Sequence, residues 1–254
     1  MGRSTITKDV QGLDVKVSAK QADTSGYLRD IGITKANADI TINFNSSMTA
    51  SQIQALIDQQ PRFVPWGTTL IFQFADGTYN LTEPLYFIGF FGGGRIFVQG
   101  NTSETAGLHT NQAVFLDFSG TASGLSSIYV NACSIQSFVI RYLKIRKFGS
   151  DVIKIRDSSA SVVYCYCIGN SSSHAIVEFQ RSFGRVNYTY VSGGAATGIQ
   201  SDDGATIICL NNDDTGTKPV YGLDARDGAV IGRRGTKPSG STADEHTQSG
   251  GVIR

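Results

Sequence analysis

Two carboxylic acids set for acid–base or nucleophilic work are the minimum that a glycan-cleaving site needs. The chain offers one compact set: Asp202 and Asp203 are adjacent, and Glu178 and Asp224 stand at nearly equal sequence distances on either side of them. If the chain repeats at that interval, these acids lie at about the same height in neighbouring units. Each also has a plainer reading. Asp203 and Asp227 both precede glycine, the ordinary chemistry of a turn, and a turn or a solvated face is preferred to catalysis for all four candidates. His174 follows Ser171-Ser172-Ser173 and reads as a solvated turn residue. The second signal is aromatic: Tyr164 and Tyr166 share one parity of a strand. A subunit interface, where aromatic side chains are enriched, is the first reading; a sugar-stacking surface is the second.

Whatever positions these residues repeats itself. Asp203-Gly204-Ala205-Thr206-Ile207 recurs as Asp227-Gly228-Ala229-Val230-Ile231, 24 positions later. Ile128, Ile153, Ile176, Ile199 and Leu223 form a ladder at steps of 23 to 25, with Val163, Val186 and Cys209 as a second column. A fixed period of this size signals a solenoid. Within each unit the apolar residues alternate rather than recurring at helical spacing, and Gly, Asn, Asp and Ser separate the runs, so the units are strands and turns. The period predicts an all-β, right-handed parallel β-helix, each rung about 4.8 Å above the last. Both columns are expected to face inward. Strand parity then sends Cys165, Cys167, Tyr188 and Tyr190 inward, and Arg185, Tyr164 and Tyr166 outward, with Asn187 and Thr189 on the outer face one rung later.

Composition narrows the partners. The 254 residues carry 22 basic and 21 acidic side chains, a net charge of +1, which is no electrostatic footprint for nucleic acid or an anionic membrane. No apolar run is long enough to span a bilayer, so neither nucleic acid binding nor membrane insertion is expected. Met1 to Thr5 lead into no apolar signal core, so synthesis in a reducing cytoplasm is expected, with the four cysteines as small buried thiols. No C-x-x-C or Cys/His cluster points to zinc, and no cofactor or metal is expected. Gly92-Gly93-Gly94 lacks the Gly-Lys-Ser/Thr ending of a phosphate loop.

Taken in order, residues 1–48 are polar, do not keep the period, and read as an attachment or oligomerisation segment. Thr49-Ala50-Ser51-Gln52 is a capping-box start, and a short capping α-helix over 49–58 is expected, with Ile53, Leu56 and Ile57 buried across the open end of the solenoid. The helix stops ahead of Pro61. Residues 49–235 form the capped β-helix. After Ile231 the pattern dissolves, and 236–254 reads as a Gly/Ser-rich tail.

Three strands follow the helix. The first closes in Asp76-Gly77-Thr78-Tyr79; Leu85-Tyr86-Phe87-Ile88-Gly89 comes next; Gly92-Gly93-Gly94 then leads into Arg95-Ile96-Phe97-Val98-Gln99-Gly100. This opening resembles the first rungs of pectate-lyase-like β-helices, frequent in bacteriophage and prophage tail proteins. The Gly-rich end, with Pro238-Ser239-Gly240 and Gly250-Gly251-Val252-Ile253, is similar to the ends of some prophage tail-fibre chains. The resemblance implies a homotrimeric structural or host-attachment component of a phage tail, located in the virion, in contact with other tail proteins and with bacterial surface polysaccharide. The alternative it carries is a polysaccharide-degrading tailspike enzyme. Glycan hydrolases of the polygalacturonase type also have an Asp-Asp pair, but their Gly-His-Gly and Arg-x-Lys motifs are absent here.

Overall fold

A computed structural model of the protein describes residue 36 and residues 38–101, 112–214 and 216–254, together with the backbone of two short antiparallel strands, Thr5–Thr7 and Asp14–Lys16. The rest of the attachment segment expected over 1–48 lies mostly outside the described residues. Three parallel sheets wind into a β-solenoid. Sheet 1 stacks nine strands, from Ile40–Phe44 and Thr69–Phe74 at one end to Val230–Arg234 and Val252–Ile253 at the other. Sheet 2 stacks six, beginning with Gly77–Asn80 and ending with Asp213–Asp214. Sheet 3 stacks seven, from Leu85–Ile88 to Ala243–Thr247. From Thr69–Phe74 to Val230–Arg234 the chain visits sheets 1, 2 and 3 in turn, so each strand pairs with the one a full rung away.

Period-two patterning makes these strands: in Thr69–Phe74, Leu70, Phe72 and Phe74 are buried and the residues between them are half-buried. The inward residues of successive rungs stack into columns. One column in sheet 3 runs Leu85, Ile128, Ile153, Val177, Ile199, Leu223. In sheet 1, Phe72, Val98, Ile140, Val162, Val186 and Cys209 stack likewise. The core is ring-rich near the first rungs, where Phe44, Phe72, Phe74, Phe87, Phe90 and Tyr79 are fully buried. Burial pushes the Tyr79 phenol up to about 12, and its hydroxyl donates to the carbonyls of Phe44 and Ala75, each at 3.0 Å.

Two columns differ from expectation by one residue. Val177, not Ile176, stands above Ile153, and Val162, not Val163, stands below Val186. Rung length is not constant: the step from Ile153 to Val177 is longer than the step from Val177 to Ile199. In both cases two adjacent β-branched residues offered the column a choice. Ile176 is still buried, tucked into the corner beside Val152 and Gly169.

Parity also fails to cross the corners. Among the described residues ten non-glycine residues have positive φ. Tyr142, Tyr164, Tyr188 and Asn211 stack at the corner from sheet 1 to sheet 2. Ala132, Asp157, Arg181, Asp203, Asp227 and Ser249 stack at the corner from sheet 3 to sheet 1. Such a residue reverses the alternation at a cost of about 1–2 kcal/mol outside glycine. Tyr188 and Tyr190 are therefore not inward as parity predicts; the buried residue between them is Thr189, whose hydroxyl donates to the Asn187 carbonyl at 3.1 Å.

The helix spans Ala50–Asp58 with the full capping box between Thr49 and Gln52. Ile53 and Ile57 are buried; Leu56 is only half-buried against the core. Gln54 brackets the outermost strand of sheet 3: its amide donates to the Tyr86 carbonyl at 3.0 Å and accepts from the Tyr86 N–H at 2.8 Å. The helix thus substitutes for a missing neighbour at an open sheet edge.

The solenoid exceeds the expected 49–235 at both ends. Ile40–Phe44 pairs in register with Leu70–Phe74 before the helix begins. Beyond 235, Ala243–Thr247 continues sheet 3 and Val252–Ile253 continues sheet 1, so 236–254 is not a tail. The last rung was hard to see because its inward positions turn polar. Glu245 stands above Leu223 and Arg233 above Cys209, and Glu245 accepts from Lys237 Nζ at 2.6 Å. All four cysteines are free and buried. No helix among the described residues is long and apolar enough to cross a membrane.

Candidate functional site

The outer face of sheet 3 carries one continuous ladder: Tyr86, Tyr129, Lys154, Glu178, Gln200, Asp224 and His246. Each is the residue that follows an inward member of the sheet 3 core column, so alternation turns it outward. Beside its first half lies a depression of about 250 Å³ lined by Tyr86, Tyr129, Leu125, Asp151, Lys154 and His174. The rings of Tyr86 and Tyr129 meet edge to face, 6.1 Å between centroids.

At the back of this depression are two buried acids. Asp151 accepts from the Ala175 N–H at 3.1 Å and from the Ser126 hydroxyl at 3.3 Å. Glu178 receives Lys154 Nζ at 3.0 Å, and the same Nζ is 3.8 Å from Asp151. The two carboxyls are within hydrogen-bonding reach of each other. Burial holds both above the usual carboxylate range, and for Glu178 the Asp151 charge adds to it. Burial alone would depress Lys154, but Glu178 and Asp151 hold its ammonium above its ordinary value. The two acids therefore titrate together rather than as separate groups. His174 Nδ1 stands 3.7 Å from Asp151 at the rim.

The structure does not assemble the four expected acids into one site. Glu178 belongs to the cluster just described. Asp224 is fully buried two rungs further on, where it accepts from Arg226 Nε at 2.6 Å and faces His246 Nδ1 at 2.9 Å. Since a carboxylate only accepts, Nδ1 carries the proton; the imidazole also stacks on Tyr221 at 4.1 Å. Asp202 continues the neighbouring outward row above Gln180, and burial raises its carboxyl. Asp203 sits at the corner, receiving Gln180 at 2.8 Å and Arg181 at 3.2 Å. Asp202, Asp203 and Asp227 each bring one oxygen within 4.8 Å of the others, the one arrangement among the described residues that offers a cation three carboxylates.

Sequence reasoning missed Asp151, Lys154, Tyr86, Tyr129 and His246. For Tyr129 and Lys154 the signal was available in the ladder itself, because the residues after Ile128 and Ile153 face out; Asp151 lies outside the alternation.

Tyr164 and Tyr166 both lie on the outside, half-buried. Tyr164 stacks between Tyr142 at 5.5 Å and Tyr188 at 5.1 Å, with ring planes 1° and 14° apart. Tyr166 is in register with Lys144 below and Tyr190 above, and the Lys144 ammonium lies 5.4 Å from its ring. The aromatic signal is therefore a stack of rungs rather than two isolated rings.

No family model matches this chain, and neither a curated protein nor a solved structure matches it.

Proposed function

We propose that the protein is a glycan-contacting attachment component of a phage or prophage tail, acting by binding rather than by cleavage. The observation that carries this reading is the depression on sheet 3, lined by two half-buried tyrosines, Asp151, His174 and Lys154, whose ammonium pairs with buried Glu178 behind it. Tyrosine rings offer flat faces to the C–H side of a sugar, and Lys154 and His174 offer polar partners to its hydroxyls. The tail setting draws its support from the sequence resemblance in the opening rungs. Assembly as a homotrimer draws its support from the tyrosine stack and the Lys144 row on sheet 2, an aromatic and cationic stripe suited to a second copy of the chain.

A second reading, a polysaccharide-degrading enzyme, is favoured by the raised carboxyls of Asp151, Glu178 and Asp202, since perturbed acids cluster at catalytic sites. Spacing weighs against it for the closest pair. Retaining glycosidases hold their carboxyls about 5–5.5 Å apart and inverting ones farther, whereas Asp151 and Glu178 are within one hydrogen bond. Release of reducing ends from bacterial surface polysaccharide separates the readings. Binding without release is expected; release abolished by Glu178→Gln or Asp202→Asn replaces attachment with catalysis.

A further inference from the structure

Three depressions on the outer face of sheet 1 share their walls. The first, about 240 Å³, lies between Trp66 and Gln136; the second, about 450 Å³, runs from Gln136 to Arg185 and Ile208; the third, about 550 Å³, runs from those two residues to Arg254. Together they make one groove along the solenoid axis. From the strand Phe91–Gln99, over which Trp66 lies, to the strand Val252–Ile253 there are six strand steps, roughly 29 Å at about 4.8 Å each. That length suits an oligomer rather than a single small molecule.

The floor is small and polar, with Ser137, Ser159, Ser161 and Thr206, and it deepens where Gly232 stands in register above Ile208. Two rings rise from it: Trp66 is 77% exposed and Phe183 is 67% exposed. In a chain with 22 basic and 21 acidic residues, the walls carry four outward arginines, Arg95, Arg185, Arg234 and Arg254, with Arg233 of the inward row at one end, and no aspartate or glutamate side chain. Arg233 is committed to Glu245. Among the described residues, Arg95, Arg185, Arg234 and Arg254 have no side-chain acceptor and no carboxylate in ion-pair contact. Guanidinium groups left in this state on one face, with their carboxylate counterparts on another, are a binding surface for anions.

We propose that this groove binds a linear acidic polysaccharide, one bearing carboxylate or phosphate groups, with the arginines on the anionic groups and Trp66 and Phe183 against sugar faces. The rings stand about three strand steps apart, roughly 14 Å. Continuous stacking of bases on neighbouring rings, as single-stranded nucleic acid uses, is not provided for; serine and threonine hydroxyls between the rings match sugar hydroxyls. The groove is on a different face from the sheet 3 depression and does not depend on it.

The test is calorimetric titration of the full chain with a hexameric oligogalacturonate, using a neutral maltohexaose and an oligothymidylate as comparators. Binding of the oligogalacturonate, weakened by added salt, with at least tenfold weaker binding of both comparators, is expected. Arg185→Gln/Arg234→Gln should weaken it at least tenfold, and Trp66→Ala several-fold, with the circular dichroism of the fold unchanged. Tyr129→Ala on sheet 3 should leave it unaltered, which separates this groove from the site proposed above. Equal binding of maltohexaose, preference for the oligothymidylate, no binding at all, or full affinity in the double arginine variant would each overturn the proposal.

Discussion

The carboxyls of Asp151 and Glu178 lie within hydrogen-bonding reach of each other at the sheet 3 depression, although they belong to successive rungs. Both are raised above their unfolded values, chiefly by burial. Such groups contribute stability that is complete below the unfolded carboxylate range near 4 and is lost as pH rises through the raised folded values. Asp117 works the other way. Burial alone would raise it, but hydrogen bonds from Arg146 and Ser119 hold it low, so its contribution is lost as pH falls. The difference between wild type and Glu178→Gln isolates the pair. As pH rises above the unfolded carboxylate range, the wild type should lose more thermal stability than the variant; parallel profiles would show that the two acids titrate independently.

The sheet 3 column makes a packing prediction. Ile153 is fully buried between Ile128 and Val177, and Ile153→Ala should destabilise the fold by about 2–5 kcal/mol as a core cavity. Urea unfolding checks this. A loss within about 0.5 kcal/mol, typical of an exposed site, would mean that the column is not packed as described.

How much of this was readable in advance depended on the kind of residue. The parallel solenoid and its capping helix were legible because the recurring Ile/Leu ladder and the Thr49–Gln52 box are patterns with one structural solution. Register was not legible wherever two β-branched residues adjoin, as at Val162-Val163 and Ile176-Val177, since either satisfies the same apolar column. Parity could not be carried through Tyr164 or Tyr188, because a positive φ cannot be read from a tyrosine. Of the candidate site, Glu178 was visible as an acid, but its partner Asp151 sits in a corner outside the alternating pattern.

The cap makes a separate prediction. Gln54→Ala removes both hydrogen bonds to Tyr86 and leaves an unpaired strand edge. The loss is roughly 1–3 kcal/mol, and aggregation on warming should set in earlier than loss of β-structure. Light scattering and circular dichroism followed together decide it; coincident transitions at the wild-type temperature would contradict the capping role.

The thiols should be inert. Burial pushes Cys165 and Cys209 up to about 12 and raises Cys133 and Cys167 as well, so almost no thiolate is present at pH 8. A disulfide reagent should label none of the four in the folded chain and all four in denaturant; rapid labelling of the native protein would contradict the burial.

Assembly through the tyrosine stack can be weighed by sedimentation. A closed three-fold assembly uses the stripe three times. Wild type should run as a trimer and Tyr164→Ser/Tyr166→Ser as a mixture with lighter species. A wild-type monomer would remove this interface.

The most direct measurement of the attachment reading is binding of the intact chain to an array of isolated uncharged bacterial surface polysaccharides, set beside Tyr129→Ala. Selective retention of one or a few polysaccharides, at least tenfold weaker in the variant and unaccompanied by new reducing ends, is the expected result. Retention of none, or equal retention by wild type and variant, would contradict the assignment of the sheet 3 depression as a glycan-contacting site.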